Sequence, residues 1–389
     1  MERGRLDTDV FVVGGGPAGL AAAIAARQEG FRVGIADPGE PPLDKACGEG
    51  LMPAGVTALR KLGVTLGLND GVPFRGIRFA ENGTTVQADF PDGWGRGVRR
   101  TTLHKLLVQR AWRAGVEMNW GVRVTCGQSG TVYINGSVIR SRWVIGADGH
   151  NSRVRNWAGL GADFAGLKRY GFRGHYRVAP WSEHVEVHWT EDCELYVTPT
   201  GAQDICIAAL TANPRLRLAE ALAKFPEVAK KVENAEIVGS EMGGVCMTRS
   251  LRAVFRENVA LTGDASGSVD AVTGDGLALA MQQAISLAKA LRKNDLRAYA
   301  NEHRQMMQLP RMMSRLLVLL SKHGWLRRRL LSALSANPMM FSRLLAAHAG
   351  TMNLTRLVLD YAPAFTWQVL TARDAASSSE IGSSRFDRQ

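Results

Sequence analysis

The residues best placed to do chemistry stand near the start of the chain. Positions 9–37 read DVFVVGGGPAGLAAAIAARQEGFRVGIAD. Gly14, Gly16 and Gly19 have G-x-G-x-x-G spacing, with Pro17 and Ala18 between the last two and Asp37 closing a second apolar run. Gly14 permits a tight strand-to-helix turn, Gly16 lets backbone approach a pyrophosphate, and Gly19 lets helix and strand pack closely. The helix opening at Pro17 and Ala18 offers N–H donors and its positive dipole end to phosphate. Asp37 is placed to accept a ribose hydroxyl. A second reactive stretch is Lys45-Ala46-Cys47-Gly48-Glu49-Gly50. The Cys47 thiol could give up a proton if its acidity were tuned, or pack as a small hydrophobe. Lys45 is a phosphate contact or a solvated loop lysine.

Positioning these groups requires a strand–turn–helix–strand unit. Val10–Val13 is a short apolar run suited to a buried parallel strand. The helix to residue 28 ends at Gly30, and the second strand covers 31–36. Downstream, 38–50 reads as a loop and 52–62 as a helix with Pro53 in its first turn. Residues 74–80 and 84–90 alternate around Asn82-Gly83, a hairpin signal. Residues 101–114 read as a helix burying Leu103, Leu107 and Ala111. Strands follow at 116–124, 131–139 and 143–146. Residues 173–210 form an antiparallel sheet with one face free to line a cavity, and 216–232 is a helix. A buried strand at 259–262 precedes a long helix over 277–291, the chain is helical from 296 to 361, and 371–389 is a Ser-rich tail expected to be disordered.

With 389 residues the chain exceeds what one core usually serves. Its 48 Lys and Arg against 36 Asp and Glu give a net charge of +12. That balance suits nucleic acid, a membrane surface or an acidic ligand. No zinc-finger spacing or RNA-binding aromatic signature is present, so no nucleic-acid partner is expected. The five cysteines are scattered without C-x-x-C, which predicts a reduced, cytoplasmic protein without structural zinc or another metal. The charges ahead of the first strand argue against a signal peptide, and no apolar run reaches the roughly 18 residues needed to span a bilayer.

Three ordered motifs carry a resemblance: VVGGGPAG at 12–19, GADGHNSRVR at 146–155 and LTGDASGSVDAVTGDGLALAM at 261–281. Together they resemble the FAD oxidoreductases with a single dinucleotide domain, which include the aromatic hydroxylases, the flavin-dependent halogenases and the geranylgeranyl reductases. The resemblance implies FAD as cofactor. It places Asp148 and Gly149 at FAD and at a transiently bound NAD(P)H, Asp264 at the ribityl or pyrophosphate part, Arg100 along the FAD, and Val124 beside the adenine. It sets Gly274, Gly276 and Leu277 at the flavin edge, where a helix N-terminus stabilises the negative charge of reduction. No second G-x-G-x-x-G occurs, so nicotinamide would use a surface groove, or electrons would come from elsewhere. The loop around Cys47 resembles the cysteine segment of the geranylgeranyl reductases, where the cysteine faces the substrate.

The segment Glu194-Leu195-Tyr196-Val197-Thr198-Pro199 keeps the family proline but has Tyr196 where a Trp belongs and Glu194 in place of the other aromatic. That departure argues against halogenation and weakens kinship with the prenyl reductases. Tyr196, His175, His188 and Arg173 are candidate pocket residues, with Tyr196 and Cys47 as candidate catalytic groups. Residues 301–350 are basic and interleaved with leucine runs. They are either a helical layer over the substrate sheet or a peripheral contact with the inner membrane face.

The expected architecture is α/β. A Rossmann-like FAD-binding domain with a parallel sheet is assembled from 1–72, 99–165 and 255–290. An inserted antiparallel β-sheet substrate domain comes from 73–98 and 166–254, and a C-terminal helical region covers 291–370. The leading functional expectation is a monooxygenase acting on a hydrophobic, aromatic or polyketide-like small molecule through a flavin C4a-hydroperoxide. The alternatives are an alkene reductase using Cys47 and a non-catalytic flavin-binding protein that docks on membranes.

Overall fold

The computed structural model describes residues 7–126, 131–352, 368–369 and 371. The tail expected at 371–389 and most of the helical stretch beyond 352 lie outside the described residues. An eight-stranded sheet runs in the order Phe255–Arg256, Val259–Leu261, Ser137–Gly146, Thr8–Val13, Val33–Asp37, Glu117–Trp120, with the Val124–Cys126/Thr131–Ile134 ribbon branching from Ser137–Gly146. From Val259–Leu261 to Glu117–Trp120 every pairing is parallel. Such strands are covered on both faces and so read as unbroken apolar runs. Val10 and Val12 pack with Leu20, Ile24, Leu103, Leu107 and Leu287 from the helices on one side. Phe11 and Val13 pack with Val132, Ile134 and Leu261 on the other. In the register, Val13 lies beside Gly146 and Ala36, and Gly146 lies beside Leu261. The strands therefore end together, and the loops after them open on one edge, which is where open α/β sheets bind ligands.

A seven-stranded sheet follows the order Glu236–Leu251, Ala162–Arg177, Asp204–Thr211, Cys193–Gly201, His184–Trp189, Gly76–Glu81, Thr84–Asp89. It is antiparallel except where His184–Trp189 meets Gly76–Glu81 in parallel. That pair joins two distant parts of the chain. A three-stranded sheet of Gly50–Leu51, Gly95–Gly97 and Val72–Phe74 forms its own pairing and packs against Cys193–Gly201, with Gly97 pressed on the Pro199 carbonyl. The helices Leu296–Lys322, Gly324–Ala336 and Pro338–His348 follow. Leu331, Leu334, Phe341 and Leu345 pack on Phe74, Ile77, Val86 and Val187, so this layer does cover the sheet.

Four local expectations change. Residues 131–139 form a hairpin, because Asn135 (φ 48°) and Gly136 (φ 82°) take the left-handed backbone of a tight turn. The strand expected over 116–124 breaks at Gly121 (φ 69°) into Glu117–Trp120 and Val124–Cys126. The helix expected over 216–232 divides into Leu218–Ala223 and Pro226–Val232, since Pro226 has no N–H to continue it. Glu236–Leu251 is a strand that the sequence reading left unassigned.

Candidate functional site

A cavity of about 1290 Å³ begins at the parallel sheet's carboxyl edge and runs to the C-terminal helices. Gly14, Gly16, Pro17, Ala18, Asp37, Lys45, Cys47, Arg100, Val124, Asp148, Gly149, Tyr196, Asp264, Gly274, Gly276 and Leu277 all line it. Gly19 sits one turn into the helix, where an added Cβ would collide with the Gly14 carbonyl. An added Cβ on Gly14 would lie 2.5 Å from the Ala147 carbonyl oxygen, whereas one on Gly16 meets nothing within 4 Å among the described residues. Gly14 and Gly19 are thus small because the protein crowds them, and Gly16 because it faces the open cradle.

Asp37 also braces the loop. Its carboxylate accepts N–H bonds from Gly15 (2.7 Å) and Gly39 (2.8 Å), which leaves lone pairs for a sugar hydroxyl. His104, missed from sequence, is fully buried beneath this loop. Its Nδ1 accepts from the Leu43 N–H, so Nε2 donates to the Gly15 carbonyl at 2.9 Å. Burial holds its pKa below the ordinary histidine value. The only signal was its place beside Leu103 on the buried face of helix Arg100–Arg113.

The second and third motifs meet through Arg155. It is 2 % exposed and donates to the carbonyls of His150 (3.0 Å) and Ala265 (3.2 Å). Asp148 accepts from the backbone N–H groups of Arg153 (2.6 Å) and Val154 (3.2 Å) through Oδ2. Its Oδ1, His150 Nε2 and Arg100 Nε are buried without a partner among the described residues, and all three residues line the cavity. Lys45 lies 3.4 Å from Asp264, both half-exposed. The helices Pro17–Gln28 and Gly276–Lys293 begin without a side-chain cap. An open glycine, unpartnered polar atoms and two uncapped helix N-termini fit a bound pyrophosphate and flavin. At the second helix Asp275 pairs with His348 at 3.3 Å. Burial opposes charge on that imidazole, but Asp275 outweighs it and raises the pKa.

Tyr196 donates to Glu194 at 2.8 Å. Glu194 is 2.8 Å from Arg169, which also reaches Asp270 at 3.1 Å, and Ser321 donates to Glu194 as well. Burial works against the Arg169 charge, but the two carboxylates outweigh it and raise its pKa. Burial and Glu194 push the Tyr196 phenol well up. The glutamate standing in the aromatic position is therefore the hub of a buried ion cluster that meets the cavity through Tyr196 and Asp270.

Arg173 lines the cavity, but His175 and His188 do not. His188 turns to Glu186 (3.1 Å) and the Phe225 ring. His175 accepts from Arg173 at Nδ1 (3.2 Å), so Nε2 donates to Glu49 (2.7 Å). Glu49 has a left-handed backbone (φ 59°) and also accepts the Arg100 N–H at 2.9 Å. Glu49, His175 and Cys206 are buried with their ligating atoms within 4.8 Å of one another. Internal hydrogen bonds and the adjacent Arg173 cation make this a polar brace rather than a metal centre. Cys47 stands in front of it, partly buried, with Sγ accepting the Glu49 N–H at 3.4 Å.

Residues 7–303 match the family described as FAD binding domain. The chain belongs to that family. FAD is accordingly its cofactor, and the cradle described above fits it. The chain is similar to the menaquinone reductase of Mycobacterium tuberculosis (strain ATCC 25618 / H37Rv), 27% identical over 317 residues, covering 74% of this chain and 77% of the relative. The ubiquinone hydroxylase UbiL of Rhodospirillum rubrum is 27% identical over 317 residues, covering 73% of this chain and 72% of its own. In fold, the chain is similar to a flavoprotein/dehydrogenase from Cytophaga hutchinsonii, with a TM-score of 0.78 at 19% identity over 93% of this chain and 99% of that one. This protein is an FAD-dependent oxidoreductase.

Proposed function

We propose that the protein is a monooxygenase inserting one oxygen atom into a lipophilic molecule that carries an oxidisable ring. The observation carrying this reading is the cavity wall. From the dinucleotide cradle it passes Phe79, Trp189 and Tyr196 and continues between Leu317, Leu331 and Phe341. Oxygen insertion asks the protein to bind, orient and exclude water. Two buried carboxylates on the cavity wall are already paired, Asp270 with Arg169 and Glu49 with His175. Relatives named for menaquinone and ubiquinone support a ring with a long apolar tail.

Bound FAD supplies the two-electron chemistry. With NAD(P)H as the proposed reductant, substrate, O2, NAD(P)H and a proton give hydroxylated substrate, NAD(P)+ and water. The protein's own residues hold the ring against Tyr196 and the stacked Phe79–Trp189 pair (4.6 Å between ring centroids), and the tail among the leucines.

A second reading is reduction of an alkene in the tail. It is favoured by Cys47, a free thiol on the cavity wall. The two readings separate when the protein is reduced anaerobically with substrate present and mixed with oxygenated buffer. Oxygenation requires a transient absorbing species before the oxidised flavin spectrum returns, together with hydroxylated product. Slow return without that species, and tail reduction under anaerobic conditions, would favour the reductase.

A further inference from the structure

Helix Leu296–Lys322 turns two different apolar faces outward from its axis. Met313, Leu317 and Leu320 line the cavity. Met312, Leu316 and Leu319 are at least 40 % exposed, although their i, i+4, i+7 spacing is that of a face meant to be covered. Leu316 belongs to both sets, since it lines the cavity and is exposed at its rim. The apolar sector therefore continues from the outer surface into the interior without a polar break.

Charge follows the same helix. Arg304, Arg311, Arg315 and Lys322 fall on one side of the exposed leucine ridge by helical spacing, and Glu302 is the only acidic residue between 296 and 322. Trp325, half-exposed, begins the next helix at the end of the ridge. An apolar ridge beside a basic stripe, with a tryptophan at the margin, matches the headgroup region of an anionic bilayer. Among the described residues no helix is long and apolar enough to cross a membrane, so contact would be peripheral.

We propose that this face docks on an anionic phospholipid surface, and that Leu316 marks the opening through which a lipophilic molecule passes from that surface into the cavity. This stands apart from the reaction performed, because docking needs neither turnover nor a particular substrate.

The test uses the full-length, FAD-loaded protein in co-sedimentation with phosphatidylglycerol–phosphatidylcholine vesicles and with pure phosphatidylcholine vesicles. Wild type should bind the anionic vesicles and lose them at high salt. The variant R304E/R315E/K322E should partition about tenfold or more weakly, and M312D/L319D should also lose binding. Both sets of side chains are exposed and outside the cavity lining, so bound FAD should stay at the wild-type level and report an intact fold. Unaltered vesicle binding by both variants would overturn the proposal, as would equal binding to neutral vesicles. A dimer that M312D/L319D splits in analytical ultracentrifugation, with vesicles ignored by wild type, would assign the face to a second copy and overturn it too.

Discussion

Arg327 to Met offers the sharpest test of how the cavity is closed. Arg327 is fully buried and 246 positions from Glu81, yet the two form a two-pronged pair, with Nε donating to Glu81 at 2.8 Å. It also donates to the carbonyls of Leu320 (3.0 Å) and Thr190 (3.3 Å) and lies over the Trp189 ring at 5.7 Å. This one side chain ties two C-terminal helices to the ends of strands Gly76–Glu81 and His184–Trp189 in the seven-stranded sheet. Methionine fills similar volume but leaves the Glu81 carboxylate buried without its partner, which costs about 3–5 kcal/mol. Removing both charges in R327M/E81L should restore most of that loss, because a buried pair is worth little against apolar side chains of similar size. The assay is urea unfolding followed by tryptophan fluorescence, which includes Trp189 beside the clamp, in parallel with release of flavin. The single variant should unfold at distinctly lower urea and the double variant near wild type. A single variant within about 0.5 kcal/mol of wild type, the range of ordinary surface changes, would refute the clamp. So would a double variant weaker than the single one.

Gly16 to Val should place a branched side chain in the open cradle. FAD content on purification should fall to near zero with the far-ultraviolet circular dichroism unchanged, and retention of stoichiometric flavin would contradict the assigned geometry. Cys47 to Ser should leave oxygenation within about twofold, whereas a loss on the order of 100-fold with FAD bound would mark a proton donor and favour alkene reduction. The His348–Asp275 pair gives a pH signature. The folded pKa of His348 lies above its ordinary value, so the pair's contribution is complete below about 6.5 and is lost as pH rises through the raised value. The gap in thermal midpoint between wild type and His348→Gln should narrow with increasing pH, and a gap that stays constant would contradict this.

What could be read from the sequence was local. The glycine loop, its helix and the Asn82-Gly83 hairpin depend on turn chemistry and periodicity within a few residues, and they stand where expected. The Asn135-Gly136 turn carried the same signal, but the apolar residues on both sides made it look like one strand. Glu236–Leu251 was hidden because its edge position leaves it largely exposed, with Gly239, Gly243 and Gly244 breaking any alternation. The buried polar residues were hidden for a different reason. Arg327 sits in Arg327-Arg328-Arg329, which reads as a solvated basic run, and the distant Glu81, with the Leu320 and Thr190 carbonyls, makes burial favourable. Glu194 looked like a departure from an aromatic motif, and its role appears once Arg169, Tyr196 and Asp270 surround it. Partners brought together by the fold leave no periodic trace in sequence.

The most direct measurement is turnover of the FAD-loaded protein with NAD(P)H, a prenylated hydroquinone and oxygen-18 gas, read by mass spectrometry of the extracted product. A monooxygenase leaves a single heavy oxygen atom on the ring, with the unsaturation of the tail unchanged. A product that carries no heavy oxygen but has gained two hydrogens in its tail would contradict oxygen insertion and make the protein an alkene reductase.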